Sequence, residues 1–339
     1  MTGAPAPPAE PAPPIVTTMA PPSMIVWSTP LRTRFRGLES RDGVLLRGDA
    51  GWGEFSPFWD YDDAESRPWL AAALEAAELG WPAPVRDRVP VNVTVPAVGP
   101  EEAAAIVAAS DGCRTAKVKV AEPGQDVAQE QARLEAVRDA LGPGGLIRID
   151  ANAAWDLDTA LERLTLLDRA ASGLEYAEQP CAAVEDLAAL RRRTDVPIAA
   201  DESIRRAEDP LAVRRAEAAD VVVLKVQPLG GVRACLRLAE EVGLPVVVSS
   251  ALESSVGIAA GVALAAALPE LHHACGLGTV RLLQRDTVPE PLVPHGGYLP
   301  VTTAVPTEES LAAVAAPPDV SRRWGARLAD VAALAGASR

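Results

Sequence analysis

Five ionisable residues stand at the ends of five successive strand-like runs: Lys119 in TAKVKV, Asp150 in GLIRIDAN, Glu178 in EYAEQP, Asp201 in PIAADES and Lys225 in VVVLKVQP. The gaps between them are 31, 28, 23 and 24 residues, about one strand plus one helix per interval. Asp150, Glu178 and Asp201 form an all-oxygen donor set with no histidine among them, which suits Mg2+, with Mn2+ as a substitute. The lysines suggest proton transfer. Lys117 and Lys119 are two apart, so on a strand both side chains face one side. Their proximity is expected to disfavour double protonation and to lower one pKa, giving an amine able to act as a base. Lys225 would face them from the opposite wall. The chemistry expected is removal of a proton beside a carboxylate of a small-molecule substrate, with a divalent ion stabilising the charge that develops.

Distant charges meet at one rim only if the strands are parallel and repeat with helical crossovers, as in a β/α barrel whose active site gathers at the carboxyl ends. A charge in mid-strand would be heavily desolvated, so each run is expected to be apolar up to its charged end. The fold class expected is α/β: a modified TIM barrel, (β/α)7β, with an α+β capping domain. An open doubly wound sheet is the alternative, but only strand ends near its switch point share a crevice. Residues 1–23 read as a flexible Pro-rich tail, 24–88 as the cap and 89–280 as the barrel. Residues 281–339 read as a segment returning to the cap plus a terminal helix. The eight strands are expected near residues 89–96, 115–120, 145–150, 175–178, 197–201, 221–226, 245–250 and 272–276.

The 339 residues, 48% hydrophobic, can bury a substantial core, and with 4% aromatics Ala, Val and Leu must do most of the packing. A net charge of -14 argues against a nucleic-acid surface. The start lacks the basic and apolar regions of a signal peptide, and GVALAAALPELHHACG is too short before Pro269 to span a bilayer. A cytoplasmic protein without membrane contact follows, with its four scattered cysteines reduced. An acidic, Ala-rich chain carries no signature of oligomeric state.

Weaker signals fill in the mouth of the barrel. The runs 32–36 and 51–58 combine positive charge with glycines and read as lid loops, so Arg32 and Phe55 are candidate substrate contacts, with Ser249 and Ser250 at the seventh strand's end. Those serines lack a GxSxG elbow. His272 and His273, adjacent on a strand, must point in opposite directions and are not expected to bind metal. GPGG and GLGT are too sparse for a dinucleotide fingerprint.

The ordered set KVK at 117–119, DAN at 150–152, EQP at 178–180, DES at 201–203 and KVQPLGG at 225–231 resembles the enolase superfamily, in its muconate-lactonising subgroup. The resemblance covers about residues 24–315. It implies Asp150, Glu178 and Asp201 as magnesium ligands, Lys119 as base, Lys225 as the opposing lysine and Lys117 as an auxiliary lysine. Asn152 and Glu202 match supporting positions behind them. Six further segments resemble one dehydrating branch: PLRTRFRG, RDGVLLRG, GWGEFSPF, VPVNVTVP, SSALESSVG and HACGLGT. That branch converts 2-succinyl-6-hydroxy-2,4-cyclohexadiene-1-carboxylate to o-succinylbenzoate in menaquinone synthesis. Racemisation of N-acylamino acids is the principal rival, since it needs nearly the same constellation. Dipeptide epimerisation lacks its expected acid pair in HACGLGT, sugar-acid dehydration lacks a seventh-strand histidine, and a non-catalytic ligand-binding barrel would leave the charges without a use.

Overall fold

A computed structural model describes residues 23–35, 37–207 and 209–336. The tail expected over residues 1–23 lies outside the described residues save for Ser23, as does Arg36 of the expected lid run. The chain opens with an antiparallel three-stranded sheet of β1 (Ser23–Phe35), β2 (Leu38–Arg47) and β3 (Trp52–Phe55). Helix α1 (Asp63–Leu74) follows, started by a capping box in which Asp62 and Glu65 satisfy each other's backbone amides. Gly53 is required where β3 crosses this helix, because a Cβ there would sit 1.9 Å from the Ala73 carbonyl oxygen. Phe55, Phe58, Trp69 and Trp324 fill the core between sheet and helices.

Short strands β4 (Arg88–Pro90) and β5 (Val93–Val95) lead into the barrel. Its parallel sheet runs in order through β5, β6 (Thr115–Lys119), β7 (Leu146–Asp150), β8 (Tyr176–Glu178), β9 (Ile198–Ala200), β10 (Val221–Lys225) and β11 (Val246–Ser249). The crossovers carry α2 (Pro100–Ala108), α3 (Val127–Leu141), α4 (Leu157–Ala170), α5 (Val184–Arg191), the short α6 (Glu202–Arg205) and α7 (Ala212–Arg215), α8 (Val232–Val242) and α9 (Ser255–Ala267). Residue α9 positions are buried almost throughout, as an Ala/Val-rich helix without a polar face requires. Register aligns the charged strand ends: Lys119 sits opposite Asp150, and Asp150 opposite Glu178.

Three expectations need correction. The expected first strand is split, because β4 pairs with β12 (Tyr298–Pro300) while β5 joins the barrel sheet. The eighth strand shrinks to bridges from Cys275 to Val91 and from Gly276 to Ser249. At Gly276 a Cβ would lie 2.5 Å from Ser249 Oγ, so any larger residue there would crowd the serine at the cavity wall. Finally, Arg148 is a fully buried charge in the middle of β7. It is tolerated because its guanidinium pairs with Glu175 at 2.7 Å and donates to Tyr176 Oη and the Ala274 carbonyl, at 2.8 and 2.9 Å.

The chain after the barrel runs back along the cap: Gln284 N donates to the Pro30 carbonyl and Ser28 N to that of Val314. Beyond α10 (Glu308–Ala313), α11 (Pro318–Gly336) packs on α1, and Trp324 meets Phe55 edge-on at 5.8 Å. All four cysteines are free and buried. Among the described residues no helix is long and apolar enough to cross a membrane.

Cap and barrel are joined by a buried acid. Glu54 of β3 accepts from Ser56 Oγ, from Ser254 N and Oγ, and from Gly257 N, thereby capping α9 across the domain junction. Burial pushes its carboxyl up to about 7 from 4.5, against the opposing pull of the Ser254 hydrogen bond. The folded state therefore retains a proton that the unfolded chain releases, and this group's contribution to stability is full below pH 4.5 and lost as pH rises through about 7. Glu54→Gln, which does not titrate, is expected to gain in melting temperature relative to the parent as pH goes from about 5 to 8. Parallel melting curves across that range check it; a constant difference contradicts it.

Candidate active site

The carboxyl ends of the strands gather the charged residues into one interlocked cluster. Lys117 Nζ donates to Glu178 Oε1 at 2.9 Å and lies 3.1 Å from Asp150 Oδ2. Lys119 Nζ donates to Asp150 Oδ2 and to Asn152 Oδ1, both at 2.6 Å. On the facing wall, Lys225 Nζ donates to Asp201 Oδ2 at 2.5 Å. All three lysines and Asp150 line one small cavity of about 30 Å3, with Phe35 and Phe58 from the cap and Thr94, Ser249, Ser250 and Thr279 around the rim.

Burial and charge set the protonation states. Burial works against ionisation of Asp150, but the ammoniums of Lys119 and Lys117 hold its carboxyl well below the usual range. Asp201 is likewise held low against burial, by Arg205 and Lys225. Glu178 is pushed up to about 7 by burial and by the neighbouring charge of Asp150. Burial lowers Lys225, with Asp201 opposing. Lys117 departs from expectation: although burial works to lower it, Glu178 and Asp150 hold its ammonium above the ordinary lysine value. Carboxylate contact, not repulsion between lysines, dominates there.

Among the described residues no group of three acids, histidines or cysteines is arranged to hold a metal as it stands. The reason is local, since Lys117 bridges Asp150 and Glu178 while Asp201 engages Arg205 and Lys225. The donor set nevertheless suits a hard cation. All three acids are buried, Asp150 and Asp201 both raise Glu178 electrostatically, and Glu178 Oε2 is sealed from solvent with no hydrogen-bond partner among the described residues.

The supporting residues are distributed unevenly. Asn152, in the left-handed region at φ 47°, touches Lys119 directly and donates to Glu202 Oε1 at 3.3 Å. Glu202 also accepts from Arg205 Nη2 at 2.5 Å. Ser249 lines the cavity, and Ser250 Oγ is 2.8 Å from Thr279 Oγ1. Phe55 is not at the cavity: its ring is fully buried in the cap core, and Phe58 and Phe35 stand at the wall instead. Arg32 lines a separate, adjoining cavity, where its guanidinium donates to the carbonyls of Leu283 and Gln284. His272 and His273 pair with Glu270 and Glu175, away from the lysines.

Two participants escaped the sequence reading. Arg205 donates to Asp201 Oδ1 at 2.9 Å and to Tyr61 Oη of the cap, so it ties the fifth strand's acid to the lid. Its signal was available, since i,i+4 from Asp201 on a helix start is ion-pair spacing. Gln179 accepts from Asp201 N at 2.8 Å and Ser203 N at 3.1 Å, and donates to Ser203 Oγ at 2.6 Å, locking the loop that presents Asp201. Phe35, 5.5 Å from Lys119 Nζ by its ring centroid, sits within the basic lid run and brings an aromatic face over the amine.

Residues 100–306 match the family model described as enolase C-terminal domain-like, and residues 26–77 match its N-terminal counterpart. The chain is 68% identical over 303 residues to the o-succinylbenzoate synthase of Thermobifida fusca, covering 89% of this chain and 94% of that one. It is 56% identical to the o-succinylbenzoate synthase of Mycolicibacterium smegmatis, covering 88% and 91%. Among solved structures, muconate lactonizing enzyme from Pseudomonas fluorescens, complexed with muconolactone, shares the fold at a TM-score of 0.74 and 24% identity, covering 87% of this chain and 99% of that one. The L-Ala-D/L-Glu epimerase from Bacillus subtilis does so at 0.71 and 23%, covering 85% and 98%. A rim of paired lysines and acids on a capped barrel, carried by a sequence this close to its relatives, makes the chain a member of the enolase superfamily, in the o-succinylbenzoate synthase family.

Proposed function

We propose that this protein is an o-succinylbenzoate synthase that removes water from 2-succinyl-6-hydroxy-2,4-cyclohexadiene-1-carboxylate and forms o-succinylbenzoate, in the cytoplasm, for menaquinone synthesis. The observation carrying this reading is the 68% identity over 94% of the length of a relative bearing that name. Lys119 Nζ takes the proton from the carbon next to the ring carboxylate. The C–O bond to the hydroxyl on the adjacent carbon then breaks as the ring becomes aromatic. The new ammonium of Lys119 returns its proton to the departing hydroxide, so proton and hydroxyl leave from one face as a single water.

Lys225, on the opposite wall, keeps its positive charge and meets the ring face by cation–π attraction. Asn152 accepts from Lys119 and orients its amine, while Glu202 braces Asn152 and Arg205. Asp150, Glu178 and Asp201 would hold Mg2+, or Mn2+ in its place. When bound, that cation supplies positive charge near the substrate carboxylate and eases proton loss from the adjoining carbon. Lys117 helps keep Asp150 and Glu178 ionised, as ligation demands.

Two lysines on facing walls also satisfy the requirement for racemisation, so selectivity is the test. Specificity constants for the cyclohexadiene carboxylate and for an N-succinyl amino acid, measured side by side with Mg2+, are expected to favour dehydration by at least about 100-fold, the scale of a well-discriminating site. Efficient racemisation with no aromatic product would overturn the proposal.

A further inference from the structure

Cap and barrel share one wall of the catalytic cavity. Phe58 reaches it from the loop after β3, and Ala251 and Leu252 reach it from the loop that joins β11 to α9. Leu252 takes the left-handed conformation, at φ 65°, which is costly for a residue other than glycine and persists only where the surroundings fix it. Its side chain is buried in the core cluster of the cap, with Phe55, Phe58 and Trp69. The barrel backbone at the cavity is therefore set by its fit to the cap.

One cap residue holds both sides of this wall. Arg41 of β2 is buried; its Nε donates to the Leu252 carbonyl at 3.0 Å, and its Nη2 donates to the Ser56 carbonyl of the cap loop. The Ala251 carbonyl lies 3.5 Å from the same Nη2. The guanidinium carbon also stands 4.5 Å from the centroid of the Phe58 ring. Next in sequence, Asp42 Oδ1 accepts from Trp59 Nε1 and Trp324 Nε1, each at 3.1 Å, so β2 fastens the same loop at a second point. Burial raises the carboxyls of Glu54 in the cap and Glu253 in the barrel loop, and the charge of Arg41 draws both back down. A planar guanidinium meets two carbonyls at once in fixed geometry, whereas a lysine keeps the charge as a single point.

We propose that Arg41 is a positioning residue for the reaction: it joins the Leu252 carbonyl of the barrel to the Ser56 carbonyl of the cap, and so fixes Leu252 and Phe58 as one apolar wall of the lysine-lined cavity. The inference rests on the dehydratase reading above. Arg41 stands behind the lining of the cavity and acts through these two side chains. With the wall fixed, the ring is held in one orientation toward Lys119 and water is kept from the amine. With the wall loose, substrate still enters, but fewer bound complexes hold the reacting carbon at Lys119 Nζ.

The test compares the parent with Arg41→Lys, Leu252→Gly and the double variant, all at saturating Mg2+. Arg41→Lys is expected to lower kcat by about 30-fold or more with KM within about 3-fold, since misplacement by about 1 Å costs on the order of 100-fold while the substrate's own contacts remain. In the Leu252→Gly background, where the wall is already lost, the same substitution should cost no more than about 3-fold, because residues that act as a unit are not additive. Hydrogen exchange read by mass spectrometry requires no turnover: segments 56–61 and 250–254 should exchange at least about 10-fold faster in Arg41→Lys, with β6, β7 and β8 within about 2-fold of the parent. Should Arg41→Lys fail to fold, Arg41→Met, which buries no point charge, is measured in its place with the same expectations. A kcat near the parent's, a loss confined to KM, full additivity with Leu252→Gly, or parental exchange in both segments overturns the proposal. A parent that forms no aromatic product refutes the dehydratase reading instead, and the exchange pattern still decides whether Arg41 holds the wall.

Discussion

Lys119→Ala is expected to reduce kcat/KM for dehydration by about 100- to 10,000-fold while leaving the fold in place, the usual loss when a general base is removed. The amine is the group held closest to Asn152 and under the Phe35 ring, at the rim and not within the packed barrel. Its loss does not strand Asp150, which keeps Lys117 at 3.1 Å. The melting temperature should therefore change little, and the defect should appear in kcat. Steady-state kinetics together with a melting curve check this. A variant retaining half of the parental kcat/KM would show that another group takes the proton.

Asp201→Asn is expected to have the largest combined effect on stability and metal affinity. Asp201 is fully buried, and its two oxygens are engaged by two buried cations, Arg205 at 2.9 Å and Lys225 at 2.5 Å. Removing the acid leaves both without an anion at this position, and breaking a buried pair from one side costs about 3–5 kcal/mol. Its depressed folded-state pKa fixes the sign with pH: the stability it contributes is present above the unfolded value and is lost as pH falls toward the folded one. The deficit of the variant should thus be widest at neutral pH and narrow in acid. Urea titrations at two pH values and calorimetry with Mg2+ check it. Unchanged stability with undiminished Mg2+ binding would contradict the role given to this residue.

The contrast between Asp201 and Phe55 indicates what was legible in the sequence. Charged residues at strand ends recur at the period of a β/α unit, and parallel register carries that spacing directly into space, so Lys119, Asp150 and Glu178 could be brought together from sequence alone. Lid contacts have no such period. Whether Phe55 or Phe58 faces the cavity depends on how β3 packs against α1 and α11, and α11 is distant in sequence, with Trp324 taking one side of Phe55. Arg148 departs from the apolar runs expected of the strands because such patterning says nothing of a partner such as Glu175, one strand away. The eighth strand departs from its expected length in the same way: HHACG has the composition of a strand, but pairing there is confined to the bridges at Cys275 and Gly276. Arg205 was legible by its helical spacing from Asp201, whereas its contact with Tyr61 depends on cap docking.

The most direct measurement is the rate of aromatic product formation from the cyclohexadiene carboxylate, followed in matched reactions containing Mg2+ or a chelator. The predicted result is o-succinylbenzoate formed with Mg2+, a rate lost on chelation and restored when Mg2+ is returned in excess. No product at saturating substrate, or an undiminished rate in chelator, would contradict the assignment of metal-assisted dehydration to this site.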